Sequence, residues 1–425
     1  MNIFRNSLAP AALILLVAAG SFAQSTMQQP KRETLLNGLK VVMWPDASAQ
    51  SVEVRIRIHS GAAFDPQGKE GVMKLIAENI FPNEAARDYF KEDLGGSLEI
   101  RTTYDYIEIR AKGRSDAFLQ IMETLASAVA NPTIDKDTTV RLRSALIETL
   151  KKYESETAYV ADRGVASRLF GTFPYGRPVF GSPASVAKIE YPDLIDAKQR
   201  FLTADNATVS ITGNFDRSIA VKAAKRFFGS WLKSDKRIPS TFRQPDAPLA
   251  AVQSLTSPSG DSAGIRFAYR GVARRDKELA AARIFALVLS ERLRSRVPSD
   301  HAKNVFVRSE ERTLPGAFII GFDIHRDAAP DKKIEVQEIL SAALNAPVAD
   351  AEFAAAKQKF VDEWHKKDPA SFWLDADTYG ITDVDLDMKA AENATLADVN
   401  AFAEKLRRSP VAAVIVNTPA ATAGQ

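Results

Sequence analysis

Alternation between apolar and polar residues predicts several β-strands in the first half of the chain. Residues 52–58, Val-Glu-Val-Arg-Ile-Arg-Ile, are apolar at every second position, and residues 40–44 form a second, mainly apolar run. Two more strands are predicted over residues 104–110 and 209–213. Because successive side chains of a strand point to opposite faces, this pattern indicates a sheet with one buried face and one polar face.

Apolar residues that recur at three- and four-residue intervals predict helices between these strands. The predicted helices cover residues 71–81, 114–130 and 134–157. Gly95-Gly96 interrupts the pattern after the first helix, and Pro132 separates the other two, because both residue types are poorly tolerated inside helices.

The same order of elements recurs in the second half of the chain. Residues Ile265–Gly271 repeat the alternating strand, and Leu279–Arg294 repeat the first helix. Near the ends of the two halves, residues of the same character match at one constant spacing. The matching pairs are Asp193-Leu194 with Asp398-Val399, Ala197 with Phe402, Phe201 with Leu406, and Val209-Ser210-Ile211 with Val414-Ile415-Val416. Such self-similarity indicates a duplicated domain.

The pattern predicts the α+β fold class, with two homologous halves that each contain a mostly antiparallel sheet covered by helices. The first half is predicted over residues 31–233 and the second over residues 251–420. A proline-rich stretch, residues 234–250, is the predicted linker, since prolines favour extended connections.

Composition narrows the class of protein without identifying it. The 425 residues are 45% hydrophobic and 26% charged, as in ordinary globular proteins. A net charge of +3, with both signs mixed along the chain, gives no nucleic-acid footprint. The absence of cysteine excludes disulfides, thiolate metal ligands and cysteine nucleophiles.

The first residues predict a secretory signal peptide over residues 1–23. Arg5 supplies the positive charge, residues 8–20 form an apolar run, and Ser21-Phe22-Ala23 provides small residues for cleavage after Ala23. The run is short for a membrane span, although an uncleaved anchor is the alternative. We therefore expect an exported, periplasmic protein that has no membrane segment after cleavage.

Several segments, in the same order along the chain, resemble the pitrilysin/insulinase metallopeptidases. They are Asn37-Gly38-Leu39, Gly71 to Phe81, Leu94-Gly95-Gly96, and Phe173-Pro174-Tyr175-Gly176-Arg177-Pro178 followed by Gly181. The resemblance implies a half-clamshell whose two related halves help to enclose a peptide chamber. It also implies that such a chain pairs with a second subunit to complete that chamber.

In that family, the helix beginning at the position of Gly71 has the pattern Gly-x-x-His-x-x-Glu-His-x-x-Phe. Its two histidines bind zinc, and its glutamate activates the metal-bound water. Here Lys74 and Glu78 stand at the histidine positions and Ala77 at the general-base position. The third zinc ligand of the family aligns with Glu148, which remains. The sequence therefore predicts no catalytic residues, no metal site and no cofactor. The simplest interpretation of Lys74 and Glu78 is an ordinary i,i+4 ion pair on the helix surface.

The family also uses an arginine and a tyrosine of its second half to hold substrate. In this chain their positions align with Pro298 and Val305, so both are missing in that register. Arg292 and Arg296 lie nearby and are the weak candidates for substrate binding. The alternative is that they form a solvated basic helix end.

The leading hypothesis is a catalytically inactive member of this family that serves as the accessory subunit of a heterodimeric periplasmic zinc protease. Its expected partners are peptides and either a zinc-bearing homologous subunit or a second copy of the chain. The alternative is a stand-alone peptide-binding or scaffold protein. An active zinc metallopeptidase is the least favoured hypothesis, because the histidines and the base are absent.

Overall fold

The computed structural model describes residues 29–234, 242–243, 245–249, 251–257, 262–299, 302–325 and 330–417. The predicted signal peptide, residues 1–23, lies outside the described residues, as does much of the predicted linker, residues 234–250. Across the described ranges, no helix is long and apolar enough to cross a membrane.

The first half is built on a six-stranded sheet with the order β1-β2-β6-β3-β5-β4. Only β2 and β6 run parallel; the other neighbours are antiparallel. The strands are β1 (Lys31–Thr34), β2 (Lys40–Pro45), β3 (Ser51–Ile58), β4 (Ser97–Thr102), β5 (Ile107–Arg114) and β6 (Ala207–Gly213).

The second half repeats this topology in a five-stranded sheet with the order β7-β11-β8-β10-β9. Its single parallel pair, β7 with β11, corresponds to β2 with β6, and every further neighbour is antiparallel as in the first sheet. The strands are β7 (Gln253–Thr256), β8 (Ser262–Arg270), β9 (Ala302–Glu310), β10 (Ala317–His325) and β11 (Ala412–Asn417). Two mostly antiparallel sheets of the same design confirm the predicted fold class.

Helices pack against the two sheets to form a separate apolar core in each half. In the first half they are α1 (Val72–Ile80), α2 (Ala85–Glu92), α3 (Phe118–Ala130), α4 (Lys136–Glu154), α5 (Thr157–Phe170), α6 (Pro183–Val186), α7 (Tyr191–Phe201) and α8 (Arg217–Phe228). In the second half they are α9 (Leu279–Arg296), α10 (Pro330–Asn345), α11 (Asp350–His365), α12 (Pro369–Tyr379), α13 (Val384–Met388), α14 (Ala390–Asn393) and α15 (Leu396–Arg408).

Each half also covers the other half's sheet with one helix. Helix α5 of the first half packs on β8 and β11 of the second sheet, where Ala161 and Val165 share an apolar cluster with Val414. Helix α12 of the second half packs on the first sheet, where Ala370 is buried against Trp44. The reciprocal exchange ties the two halves together and leaves a cleft between them.

The structure corrects two predicted elements in the first half. The strand predicted over residues 104–110 begins only at Ile107, because the Thr103 hydroxyl donates to the Tyr106 carbonyl (3.1 Å) and closes a tight turn. The helix predicted over residues 134–157 ends at Glu154, because the Ser155 hydroxyl donates to the carbonyl of Lys152 (2.6 Å) and caps the helix. Strand β4 and helix α5 were not predicted.

Candidate functional site

The candidate site is a cleft of about 730 Å³ that both halves line. Lys74 of α1 lies at its wall, beside the end of β4. The first half also contributes the turn after β4 and one side of α5, whereas the second half contributes side chains from α9, β9 and α12. The principal charged and aromatic lining residues are Lys74, Arg101, Tyr104, Asp105, Tyr159, Asp162, Arg163, Arg177, Phe180, Arg283, Arg308, Glu310, Arg312 and Tyr379.

Both sheets present an edge strand to this cleft. Strand β4 ends the first sheet and β9 ends the second, and residues of both line the cavity. An edge strand carries unpaired N–H and C=O groups that can pair with an extended peptide. Arg101 of β4 is exposed, and within the described part of the chain it makes no hydrogen bond or ion pair. The cleft therefore offers both backbone groups and a free guanidinium to a peptide.

Helix α1 is fixed at its N-terminus by a buried carboxylate. Gly71 precedes the helix with φ of 109°, where a Cβ atom would lie 2.9 Å from the carbonyl oxygen of Phe180. The Asp65 carboxylate accepts the backbone N–H groups of Gly71 and Met73, each at 2.7 Å. Burial raises the pKa of Asp65 to about 7, although both amide hydrogen bonds lower it. These contacts set the direction in which α1 presents Lys74.

The positions that carry histidine in the family hold an ion pair in this chain. The Lys74 ammonium donates to the Glu78 carboxylate, and both side chains are partly buried. The ring of Phe180 lies 5.3 Å from the Lys74 nitrogen, and Arg87 lies 3.9 Å from Glu78. Ala77 is completely buried in the core of the first half. The two side chains at the metal-ligand positions of the family therefore bind each other.

Glu148 does not join this pair. Its side chain is 66% exposed on α4, and it accepts a hydrogen bond from the Lys151 ammonium at 2.8 Å. That hydrogen bond lowers the pKa of Glu148. Among the described residues, Glu148 pairs with Lys151 alone, and its carboxylate faces solvent.

These residues do not fit a zinc ion. A catalytic zinc site needs three nitrogen, sulfur or oxygen ligands and one open position. An ammonium group cannot be a ligand while it is protonated, and Glu148 pairs with Lys151 instead of meeting Glu78. In the ranges that the structure describes, no group of three or more His, Cys, Asp or Glu side chains is arranged to hold a metal.

The loop that carries the Phe-Pro-Tyr-Gly-Arg-Pro segment joins the two halves beside the cleft. The Tyr175 hydroxyl donates to the Asp105 carboxylate at 3.0 Å and accepts the backbone N–H of Leu314 at 3.1 Å. Asp105 also accepts the backbone N–H of Thr313 at 3.3 Å. Burial raises the pKa values of both Asp105 and Tyr175. This polar junction connects the first half to the loop between β9 and β10.

Arg312 completes the junction, and sequence reasoning missed it. Its guanidinium lies 3.9 Å from the ring centre of Tyr104 and 4.7 Å from that of Tyr175. It also donates to Glu310 at 2.8 Å. Cation–π contacts of this kind stabilise a desolvated arginine. No local signal could have found this residue, because its three partner segments are far apart in the chain.

The predicted substrate residues on α9 are placed differently from one another. Arg292 is buried, and its five N–H groups are all occupied: two donate to Glu352, and three to the carbonyls of Ala343, Ala346 and Pro347. Arg292 thus joins α9 to the segment between α10 and α11, and it has no free donor for a peptide. Arg296 is exposed near Glu352, outside the residues that line the cleft. The contacts of Arg292 leave no N–H group for a substrate, and the role of Arg296 stays a prediction.

A buried ion cluster lies behind the cleft, where α12 packs on the first sheet. Asp375 accepts from Arg57 (2.7 Å), Lys367 (2.6 Å) and Arg274 (3.3 Å). Burial alone would raise the pKa of Asp375, but the three positive charges outweigh burial and hold that pKa well below its ordinary value. Glu108 accepts two further hydrogen bonds from Arg57. The cluster joins residues of both halves.

The fold and the cleft together define a two-halved chain of zinc-peptidase type, in which an ion pair occupies the helix positions that hold the zinc ligands in such peptidases. The chain belongs to the insulinase family, peptidase family M16. The family described as Insulinase (Peptidase family M16) matches residues 40–182, and the Peptidase M16 inactive domain matches residues 188–360.

Individual relatives are distant and agree with this assignment. An uncharacterized zinc protease of Bacillus subtilis, YmxG, is 21% identical over 206 residues, which cover 47% of this chain and 50% of that protein. The chain thus spans about half the length of the curated relatives it matches. The family assignment rests on the two family matches, and these relatives agree with it.

Two solved structures show the same fold. A peptidase M16 inactive domain from Pseudomonas fluorescens has a TM-score of 0.82 at 18% identity, covering 93% of this chain and 100% of that one. The periplasmic protease PqqL from Escherichia coli has a TM-score of 0.72 at 15% identity, covering 92% of this chain but 48% of that one. The PqqL chain is therefore long enough for two units of this size.

Proposed function

We propose that this chain is the non-catalytic, peptide-binding subunit of an exported two-subunit peptidase. One observation carries the proposal: the Lys74–Glu78 ion pair stands where the family binds zinc, on the wall of the cleft between the halves. A peptide would lie along β4 and pair with its free edge, with Arg101 holding a carbonyl or an acidic side chain. The complete zinc site would belong to a homologous partner subunit.

Three further points support this assignment. The fold is kept across both halves even though the metal ligands are lost, so its surfaces have a use apart from catalysis. The length of PqqL, about twice that of this chain, agrees with a chamber made from two such units. The predicted signal peptide, residues 1–23, together with the periplasmic location named for PqqL, favours export.

The decisive experiment measures zinc content and peptide cleavage for the chain from Gln24 onward. It is assayed alone and mixed with a homologue from the same genome that carries the intact His-x-x-Glu-His helix. We expect less than one-tenth of a zinc ion per chain and no cleavage alone, but cleavage in the mixture at least about tenfold above the homologue alone. Stoichiometric zinc together with cleavage by the chain alone would overturn the proposal.

The unpaired edge of β4 also favours the second candidate, a peptide-binding scaffold that works without a catalytic partner. Anisotropy measures the binding of a fluorescein-labelled unstructured peptide, and the effect of the chain on the cleavage rate of the zinc-bearing homologue distinguishes the two candidates. Both candidates predict binding that weakens severalfold in Arg101→Ala. Lys112→Ala is the matched control, because Lys112 is exposed on the neighbouring strand β5 outside the cleft. Peptide binding without any effect on a homologue's activity would favour the scaffold.

A further inference from the structure

One end of the first half carries two exposed leucines. Leu36 lies in the turn between β1 and β2 and is 105% exposed, and Leu232 follows α8 and is 78% exposed. Isolated exposed leucines are common on protein surfaces, whereas contiguous exposed apolar surface marks interaction sites. Their relative position therefore decides whether they matter.

Asn37 ties together the two chain segments that carry these leucines. Its side-chain amide donates to the carbonyls of Phe228 (2.8 Å) and Trp231 (2.9 Å). Leu36 directly precedes Asn37, and Leu232 directly follows Trp231. The turn before β2 and the segment after α8 are thus joined by two hydrogen bonds. We call this end of the first half the leucine tip (Leu36 and Leu232).

Basic side chains flank the leucine tip along the outer face of α8. Lys222 and Arg226 are exposed and, among the described residues, make no ion pair. Lys225 pairs with Glu33 at 3.1 Å. Ile219, 46% exposed, lies on the same face as Lys222 and Arg226, since residues three and seven apart share one side of a helix.

Apolar side chains at a projecting tip, flanked by unpaired basic side chains, match the chemistry of an anionic lipid surface. The leucine side chains would move out of water and into the boundary between the lipid headgroups and the acyl chains. The basic face of α8 would meet the lipid phosphates. Leu36 projects from a turn with its side chain fully exposed, so a fluid surface suits it better than the shaped surface of a folded protein. We propose that the leucine tip and the basic face of α8 dock this protein on membranes that contain anionic lipid.

The test is flotation of the chain from Gln24 onward with vesicles, because the apolar run of residues 8–20 would bind lipid by itself. One vesicle set is pure phosphatidylcholine, and the other contains about one-third phosphatidylglycerol. We expect binding to the anionic set only, weakening as salt rises. Leu36→Ser with Leu232→Ser, and separately Lys222→Glu with Arg226→Glu, should each weaken it about tenfold or more.

Matched controls use residues of the second half. Leu386→Ser removes another exposed leucine (61%), and Lys359→Glu with Lys366→Glu reverses two exposed charges elsewhere. Both controls should bind as the parent chain does. All four variants alter exposed side chains, so their circular dichroism and melting temperatures should match the parent.

Three results would overturn the proposal. The first is no binding to anionic vesicles, and the second is equal binding to both vesicle sets. The third is binding that the tip and α8 variants leave unchanged. If vesicles fail but poly-glutamate binds the parent and not Lys222→Glu with Arg226→Glu, then the surface recognises an acidic polypeptide and the lipid assignment is wrong.

Discussion

Lys74 and Glu78 keep the i,i+4 spacing of a metal-binding helix while replacing its ligands with opposite charges. The two residues suit each other, because each neutralises the charge of the other where both side chains are partly buried. A histidine at position 78 alone would leave the Lys74 ammonium without its carboxylate, and a histidine at position 74 alone would leave Glu78 only the more distant Arg87, at 3.9 Å. Changes at both positions are therefore needed before the helix can offer the two imidazoles of the family's zinc site.

We expect Lys74→His with Glu78→His to bind zinc at least about tenfold more tightly than the parent chain, since two imidazoles would share one helix face. Competition against a chromophoric zinc chelator measures this affinity. Lys74→His with Glu78→Gln is the control, because it offers one imidazole and should resemble the parent. Tight stoichiometric zinc in the parent would contradict the prediction and would place a metal site elsewhere.

Asp65 gives a second prediction at the residue scale, which concerns how the stability of the fold depends on pH. Burial raises its pKa from 3.8 to about 7, so between these values the folded protein binds a proton that the unfolded chain releases. This contribution to stability is complete below about pH 4 and is lost as pH rises to about 7. Asp65→Asn removes the titration.

The stability of the parent minus that of Asp65→Asn should therefore fall by about 1–4 kcal/mol between pH 5 and pH 8. Urea unfolding at the two pH values gives both terms, and the subtraction cancels the other titrating groups. If the difference grows with pH instead, the N–H groups of Gly71 and Met73 favour the carboxylate more strongly than burial opposes it.

At the scale of elements, the sequence predicted those strands and helices whose apolar residues follow a regular local spacing. The strand over residues 52–58 and the helix from Gly71 follow from alternation and spacing, and both are found. Strand β4 was missed, because its polar face carries Glu99 and Arg101 between partly apolar neighbours, so no clean apolar run exists. Helix α5 was missed because its apolar face meets the other half's sheet, a partner that no local signal reveals.

The residues of the candidate site likewise fall into those that the sequence could predict and those that it could not. The loss of the zinc ligands at Lys74 and Glu78 could be read from one helix. Arg312 and Asp105 could not, because the fold brings together three segments that are distant in sequence. Arg292 was a candidate for substrate binding because it lies near the aligned position of the family arginine, whereas in the fold it is buried and paired with Glu352. Burial is a property of the whole fold.

The contact between α12 and the first sheet depends on Asp375. Removing its carboxylate in Asp375→Ala would leave Arg57, Arg274 and Lys367 buried with too little negative charge. We expect a loss of about 3–5 kcal/mol in the free energy of unfolding, measured by urea denaturation. Asp362→Ala on α11 is the control, because Asp362 is exposed and should change stability by less than about 0.5 kcal/mol. A small effect of Asp375→Ala would mean that water enters the cluster.

At the scale of the whole molecule, the two halves are interleaved. Helix α5 belongs to the first half by sequence but packs on the second sheet. Helix α12 belongs to the second half but packs on the first sheet. Close approach reinforces this exchange: a Cβ atom on Gly264 of β8 would lie 2.9 Å from the Cβ of Ala161 on α5. Neither sheet could keep both of its faces covered if the other half unfolded.

We therefore expect the chain to unfold in one calorimetric transition, despite having two sheets and two apolar cores. The calorimetric and van't Hoff enthalpies should agree, because opening either half exposes a helix-covered face and the Asp375 cluster of the other. Residues 24–234 expressed alone should show no cooperative transition, since α5 would then lack β8 and β11 beneath it. Two resolved transitions in the intact chain, or a cooperative melt of residues 24–234, would show that each half is stable by itself. The cleft would then lie between independently folding domains, and its width could change as a peptide enters.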